Sequence, residues 1–165
     1  MRDHTVRISS LKLLILLAIT WNLCGCPDFS GCSEFHHESR AIFDMGIKYY
    51  NEGDYDEAVI YFSSAIRREY KPAECYYYLG NIYTKKNQQD EAIVAYEKAI
   101  GLKAKYSEAY YGLARSYSLK GAVSEAIQAL EKAIDLKRKW RNRAEDDQAF
   151  LNIRDAAEFR RLLER

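Results

Sequence analysis

Residues 73–106 read AECYYYLGNIYTKKNQQDEAIVAYEKAIGLKAKY, and the residue classes of this stretch recur on both sides of it. Residues 39–72 and 107–140 align with it position by position without a gap. Large apolar or aromatic residues occupy positions 4, 7, 11 and 24, small residues occupy positions 8, 20 and 27, and isoleucine occupies position 28 in all three segments. The chain therefore contains three copies of one repeating unit.

The apolar pattern of each unit predicts two helices. Positions 4, 7, 8 and 11 recur at three- and four-residue spacing, which places them on one face of a first helix, and positions 20, 24, 27 and 28 do the same for a second. Position 15 is Gly53, Asn87 or Gly121, residues that tolerate the left-handed conformation in which helices end. Six tyrosines occupy these apolar positions and are interpreted as packing residues: Tyr49, Tyr76, Tyr83, Tyr96, Tyr110 and Tyr117.

The period and these residue classes resemble the tetratricopeptide repeat, a helix–turn–helix unit of about 34 residues. The resemblance implies an all-α, right-handed superhelical solenoid of three repeats, 39–72, 73–106 and 107–140. One feature departs from the family pattern, because Tyr70, Ala104 and Arg138 replace the proline expected near position 32. We therefore expect some difference in the turns between repeats.

Residues 141–165 fall out of register, as terminal repeats do. They contain two short amphipathic stretches, the first around Phe150 and Ile153 and the second around Phe159 and Leu162. Three repeats are about the minimum for a stable solenoid. We therefore expect this segment to be a C-terminal helical cap that covers the last repeat.

Residues 1–25 have the pattern of an export signal, with a basic start followed by a short apolar run from Leu13 to Leu23. Leu23-Cys24-Gly25-Cys26 resembles a bacterial lipobox, which implies cleavage after Gly25 and lipidation of Cys26. Residues 26–38 show no helical or alternating apolar period and are expected to be a flexible tether. An ordinary secretory signal is the alternative. The lipobox predicts a lipoprotein anchored to a membrane of the cell envelope, on the periplasmic side.

Composition and motifs argue against several functional classes. The net charge of +1 gives the chain no general attraction for nucleic acid. The repeats contain no histidine, and Cys75 replaces the alanine found at the same position in the other two repeats. The common nucleophile, zinc-protease and phosphate-loop motifs do not occur. We therefore expect neither an enzyme nor a cofactor, and predict a module that binds a protein or peptide.

In the family that this chain resembles, the first helix of each repeat lines a concave surface through positions 2, 5, 9, 12 and 13. Phe43, Tyr77 and Tyr111 share position 5 and are expected to stand exposed in a row. The predicted partner-binding groove consists of Arg40, Phe43, Ile47, Tyr50, Glu74, Tyr77, Asn81, Lys85, Glu108, Tyr111 and Arg115, with Asn51, Thr84, Ser118 and Leu119 on the same face. Relatives that hold a chaperone's C-terminal carboxylate use a Lys and Asn pattern absent here, so a chaperone adaptor is not expected.

Two further hypotheses remain open. Cys32, His36 and His37 form the basis of an alternative function as a metal- or thiol-handling envelope protein, although their spacing fits no paired zinc motif. Residues 137–143, KRKWRNR, carry five cations that either complement the end of a helix or contact anionic lipid head groups. The favoured prediction is a membrane-tethered interaction scaffold that serves as an accessory factor in the assembly of envelope or secretion machinery.

Overall fold

The computed structural model describes the backbone of residues 29–164 and the side chains of residues 36–164. The contacts divide the chain into two units, residues 1–37 and 38–165. The described part consists of helices joined by short turns: α1 (Phe29–Glu52), α2 (Tyr55–Arg67), α3 (Pro72–Lys85), α4 (Gln89–Leu102), α5 (Ser107–Lys120), α6 (Val123–Leu136), α7 (Lys139–Asp146), a 3₁₀ helix (Gln148–Ile153) and α8 (Ala157–Glu164).

Residues 29–38, expected to form part of a tether, are helical and belong to α1. Pro27 is the last proline before Pro72, so no proline interrupts this helix. An absent apolar period therefore did not prevent helix formation. Cys26 and the predicted leader, residues 1–25, lie outside the described residues. Within residues 29–164, no helix is both long enough and apolar enough to cross a membrane.

Successive helices pack on one another in chain order from α2 to α6, and α3 also contacts α5, as in a solenoid of helix pairs. In the first two repeats, the close approach within each helix pair comes from position 8 facing position 24. A Cβ atom added to Gly80 would lie 2.6 Å from the ring of Tyr96, and one added to Gly46 would lie 2.8 Å from the ring of Phe62. The expected match of small and large residues therefore sets the interhelical distance.

The turns within the repeats follow the sequence pattern, because Gly53, Asn87 and Gly121 all have positive φ. The turn between the first two repeats is different. Glu69 and Lys71 also have positive φ, at 54° and 44°, immediately before α3 begins at Pro72. The missing family proline is thus accompanied by two left-handed residues at this junction.

The C-terminal segment packs on the third repeat. Trp140, Phe150 and Phe159 are buried in the same apolar cluster as Leu130 of α6. The segment α7 to α8 therefore closes the apolar core at this end of the repeats.

Candidate functional site

A concave groove of about 900 Å³ runs along the first helices of the three repeats. One wall comes from α1, α3 and α5, and the other comes from the C-terminal segment. The lining residues are Tyr50, Tyr77, Asn81, Lys85, Arg115 and Leu119 on the repeats, and Arg143, Asp146, Asp147, Gln148, Ala149 and Leu151 on the C-terminal segment. The groove is therefore the candidate functional site.

The groove contains five of the residues predicted for it, Tyr50, Tyr77, Asn81, Lys85 and Arg115, together with Leu119 from the same helix face. These residues come from positions 5, 9, 12 and 13 of different repeats. Sequence reasoning missed the C-terminal wall. The sequence places Arg143 of that wall in the basic patch and Ala149 in the expected cap, and assigns neither to the groove.

Two predicted anchors do not stand exposed in the groove. Phe43 is 4% exposed and its ring lies 5.9 Å from Phe62 in an edge contact. Tyr111 is 5% exposed and stacks on Trp140 at 4.4 Å between ring centres. The expected exposed row at position 5 is wrong for both, because each ring packs against neighbouring helices; Tyr77 alone of the three lines the groove.

Four more predicted residues contact the protein itself. Arg40 pairs with Asp44 at 3.6 Å, and Ile47 packs against the apolar cluster that contains Phe43 and Phe62. Glu74 pairs with Lys103 at 3.2 Å, and Glu108 pairs with Lys137 at 2.6 Å. Burial alone would raise the pKa of Glu108, but hydrogen bonds from Lys137, its own backbone and Ser107 outweigh burial and lower it.

The middle of the groove is polar and rich in hydrogen-bond donors. The Tyr96 hydroxyl donates to Asn81 Oδ1 at 2.8 Å, so the side-chain amide keeps both N–H donors. Burial raises the pKa of Tyr50, and the neighbouring Tyr77 adds to that shift. A phenol is protonated at neutral pH even at its ordinary pKa, so the hydroxyl of Tyr50 can act as a donor.

Asp147 connects the two walls. Its Oδ2 accepts a hydrogen bond from the Tyr111 hydroxyl at 2.8 Å and lies 3.0 Å from Arg115 Nε. Its Oδ1 accepts from the backbone N–H of Ala149 at 3.0 Å, which caps the 3₁₀ helix. Burial, followed by the hydrogen bond to this carboxylate, raises the pKa of Tyr111.

Two smaller grooves lie within single repeats and away from the concave surface. One of about 490 Å³ is lined by Tyr76, Leu79, Tyr83 and Val94, and one of about 420 Å³ is lined by Tyr110, Leu113, Tyr117 and Ala129, among others. The interpretation of the six repeat tyrosines as core residues holds fully only for Tyr96. The other five are half-buried.

The other sequence hypotheses gain no assembled site within the described residues. Lys137 and Lys139 of the basic patch both approach Glu108, and Trp140 is buried. His36 and His37 are exposed, and the side chain of Cys32 lies outside the description. Among the described side chains, no group of three or more His, Cys, Asp or Glu residues is arranged to hold a metal ion.

Among solved structures, MamA is 28% identical to this chain with a TM-score of 0.63, and the match covers 76% of this chain and 77% of MamA. The first TPR of Spaghetti (RPAP3), bound to an HSP90 peptide, is 17% identical with a TM-score of 0.60, covering 78% and 92%. The Yersinia enterocolitica type III secretion chaperone SycD, in complex with a peptide of the translocator YopD, is 19% identical with a TM-score of 0.60, covering 69% and 88%. The last two likenesses show the fold alone.

No curated protein sequence matches the chain. Two family models do match: one described as a TPR repeat covers residues 80–121, and one described as a tetratricopeptide repeat covers residues 39–71 and 107–139. Together they cover more than half of the chain, and the helix pairs agree with them in number and order. The chain therefore belongs to the tetratricopeptide-repeat family.

Proposed function

We propose that this protein is an interaction scaffold that binds a peptide segment of a partner protein in the concave groove. The observation that carries the proposal is the groove itself, which combines exposed apolar side chains with polar donors. Leu119 is 41% exposed and Leu151 is 54% exposed, and both line it. An apolar pair beside Asn81 and Lys85 is suited to a segment that buries a side chain while its backbone carbonyls accept hydrogen bonds.

Two structures of the same fold support a peptide as the ligand. The Spaghetti domain is described as bound to an HSP90 peptide, and SycD as in complex with a YopD peptide. Both are less than 20% identical to this chain, so their own ligands are not transferred to it. The transferable part is the general use of such folds in peptide binding.

The location of the protein in the cell is part of the proposal. Lipidation of Cys26 would tether the repeats to a membrane of the cell envelope, and the scaffold would there assist the assembly of envelope or secretion machinery. The support is the lipobox pattern of residues 23–26 and the export signal before it. Several acyl chains on one residue give a stable anchor, because each buried methylene contributes about 0.8 kcal/mol.

A peptide selection tests the binding function. A random phage-displayed library of dodecapeptides is selected on the wild-type protein, and affinities of synthetic copies are measured by fluorescence anisotropy. Leu119→Gln removes an apolar contact from the groove and should weaken binding at least tenfold. The matched control is Val94→Gln, because Val94 is 51% exposed but lies in a smaller groove of α3 and α4. Equal losses, or a loss only in the control, would place binding elsewhere.

Fatty-acid labelling tests the anchor. Cys26→Ser should abolish incorporation of labelled palmitate and release the protein from the membrane fraction, whereas Cys24→Ser should leave both unchanged. Continued labelling of the Cys26→Ser protein would show that the wrong cysteine has been assigned.

A further inference from the structure

The carboxylate of Asp147 occupies a position in the groove that a ligand could otherwise reach. Its side chain is 14% exposed, it lies 3.0 Å from Arg115 Nε, and it accepts a hydrogen bond from Tyr111 at 2.8 Å. A guanidinium is a typical partner of a carboxylate, and here the Tyr111 phenol donates to the same carboxylate oxygen. The protein thus fills its own anion site with an internal carboxylate.

We propose that Asp147 is a specificity-determining residue, which neutralises Arg115 so that the groove selects a partner segment for its apolar side chains instead of its acidic ones. The inference rests on the proposed function and names the class of segment that the same groove takes. Asp147 touches no ligand in this role and acts through Arg115 and Tyr111.

The charges of the groove agree with this assignment. It is lined by three cations, Lys85, Arg115 and Arg143, and by two carboxylates, Asp146 and Asp147. Arg115 with Asp147 is the ion pair recorded among these groove residues. An opposite charge at this distance from a cation offsets its attraction for another anion. The remaining groove residues present a ligand with one excess positive charge. Exposed side chains carry this charge, so solvent screens it, and Leu119 and Leu151 lie beside it.

Asp147 is also held in place independently of any ligand. Its second oxygen accepts from the N–H of Ala149, and the next residue, Phe150, is fully buried against Tyr111, with ring centres 5.7 Å apart. Displacement of Asp147 by an incoming carboxylate would break the cap of the 3₁₀ helix and two side-chain contacts. We therefore expect acidic peptides to compete poorly with the internal carboxylate.

A double-mutant cycle of Asp147 and Arg115 tests the proposal. The same library selection is repeated on the wild type, the two single variants and the double variant. Asp147→Asn keeps the size of the side chain and its capping oxygen but leaves Arg115 without a counter-charge, so it should enrich peptides in Asp and Glu. Arg115→Gln leaves Asp147 without its cation and should enrich peptides in Lys and Arg. The double variant should return to the wild-type preference. For each single variant, we expect the ratio of affinities for matched acidic and neutral peptides to shift at least tenfold.

Asp146→Asn is the matched control, because it also adds one positive charge to the groove lining but leaves the Arg115 pair intact. Its selected peptides should resemble those of the wild type. Equal acidic enrichment from both Asn variants would mean that net charge alone sets the preference, and would overturn the proposal. If one single variant fails to fold, the expected shift in the peptide preference of the other single variant still tests the proposal. A library that yields no binder on any of these proteins refutes the proposed function itself, whereas binders with unchanged preference refute only the role of Asp147.

Discussion

Single residues set how closely the helices of the second repeat approach. The ring of Tyr96 is fully buried between α3 and α5, where Cβ atoms added to Gly80 and Gly112 would lie 2.6 Å and 2.5 Å from it. Contacts this short force either the ring or the backbone to move. The small residue at position 8 is thus a packing requirement of this repeat.

Gly80→Ala should lower the free energy of unfolding by about 1–3 kcal/mol, because the buried Tyr96 ring has no free space to move into. Gly101→Ala is the control: Gly101 lies in α4 with no atom within 4 Å of its Cβ direction, so alanine should be neutral or stabilising by up to about 1 kcal/mol. Urea unfolding followed by circular dichroism measures both. Equal losses would contradict the packing account.

Cys75 is predicted to be inert in the folded protein. Burial raises the pKa of its thiol to about 12, from a usual value of 9.0. The unfolded chain therefore releases this proton at lower pH than the folded chain. The thiol's contribution to stability is complete below about pH 9 and is lost as the pH rises towards about 12.

In a variant with the other three cysteines replaced by serine, iodoacetamide at pH 8 should label Cys75 in urea but not in buffer. As the pH rises from 9 to 11, the urea concentration at the denaturation midpoint should also decrease. The decrease should be less steep in Cys75→Ala. Fast labelling in buffer would show that the thiol is accessible, against its complete burial here.

Residue classes predicted the packing positions better than the groove positions. Position 5 is aromatic in all three repeats, yet Phe43 and Tyr111 are buried while Tyr77 lines the groove. The difference depends on what packs beside each repeat: Tyr111 is covered by Trp140, the last residue of the third repeat, and by Phe150, which lies beyond the repeats. A local pattern cannot show that a distant segment covers one of its members.

At the scale of helices, the period predicted the paired helices from α1 to α6 and the glycine or asparagine that ends the first helix of each repeat. The period did not predict the structure at either end of the repeats. Helix α1 begins at Phe29, ten residues before the first repeat, although no apolar stripe marks those residues. The C-terminal segment includes a 3₁₀ helix, whose three-residue turn does not follow the apolar spacing of an α-helix.

The 3₁₀ helix provides a matched test of the cap. Phe150 is fully buried, whereas the next residue, Leu151, is 54% exposed. Phe150→Ala should lower the free energy of unfolding by about 3–5 kcal/mol through the cavity that it leaves. Leu151→Ala should change it by less than about 0.5 kcal/mol and should affect peptide binding instead. A stability loss at Leu151 as large as that at Phe150 would mean that the segment packs the other way round.

At the scale of the whole molecule, the candidate site joins what the repeats provide to what the terminal segment adds. Tyr50, Tyr77 and Asn81 could be assigned to the concave face because the family resemblance gives each position a direction. The opposite wall, with Asp147 and Leu151, could not, because residues after 140 have no register from which to read a direction. The central claim is that this composite groove holds the partner.

Site-specific photo-crosslinking in intact cells that express the full chain natively tests that claim most directly. p-Benzoylphenylalanine replaces Leu119 in the groove or, as the control, the similarly exposed Val94. We predict that irradiation joins a partner protein to position 119 and leaves position 94 free. An adduct from position 94 with none from position 119 would contradict the account.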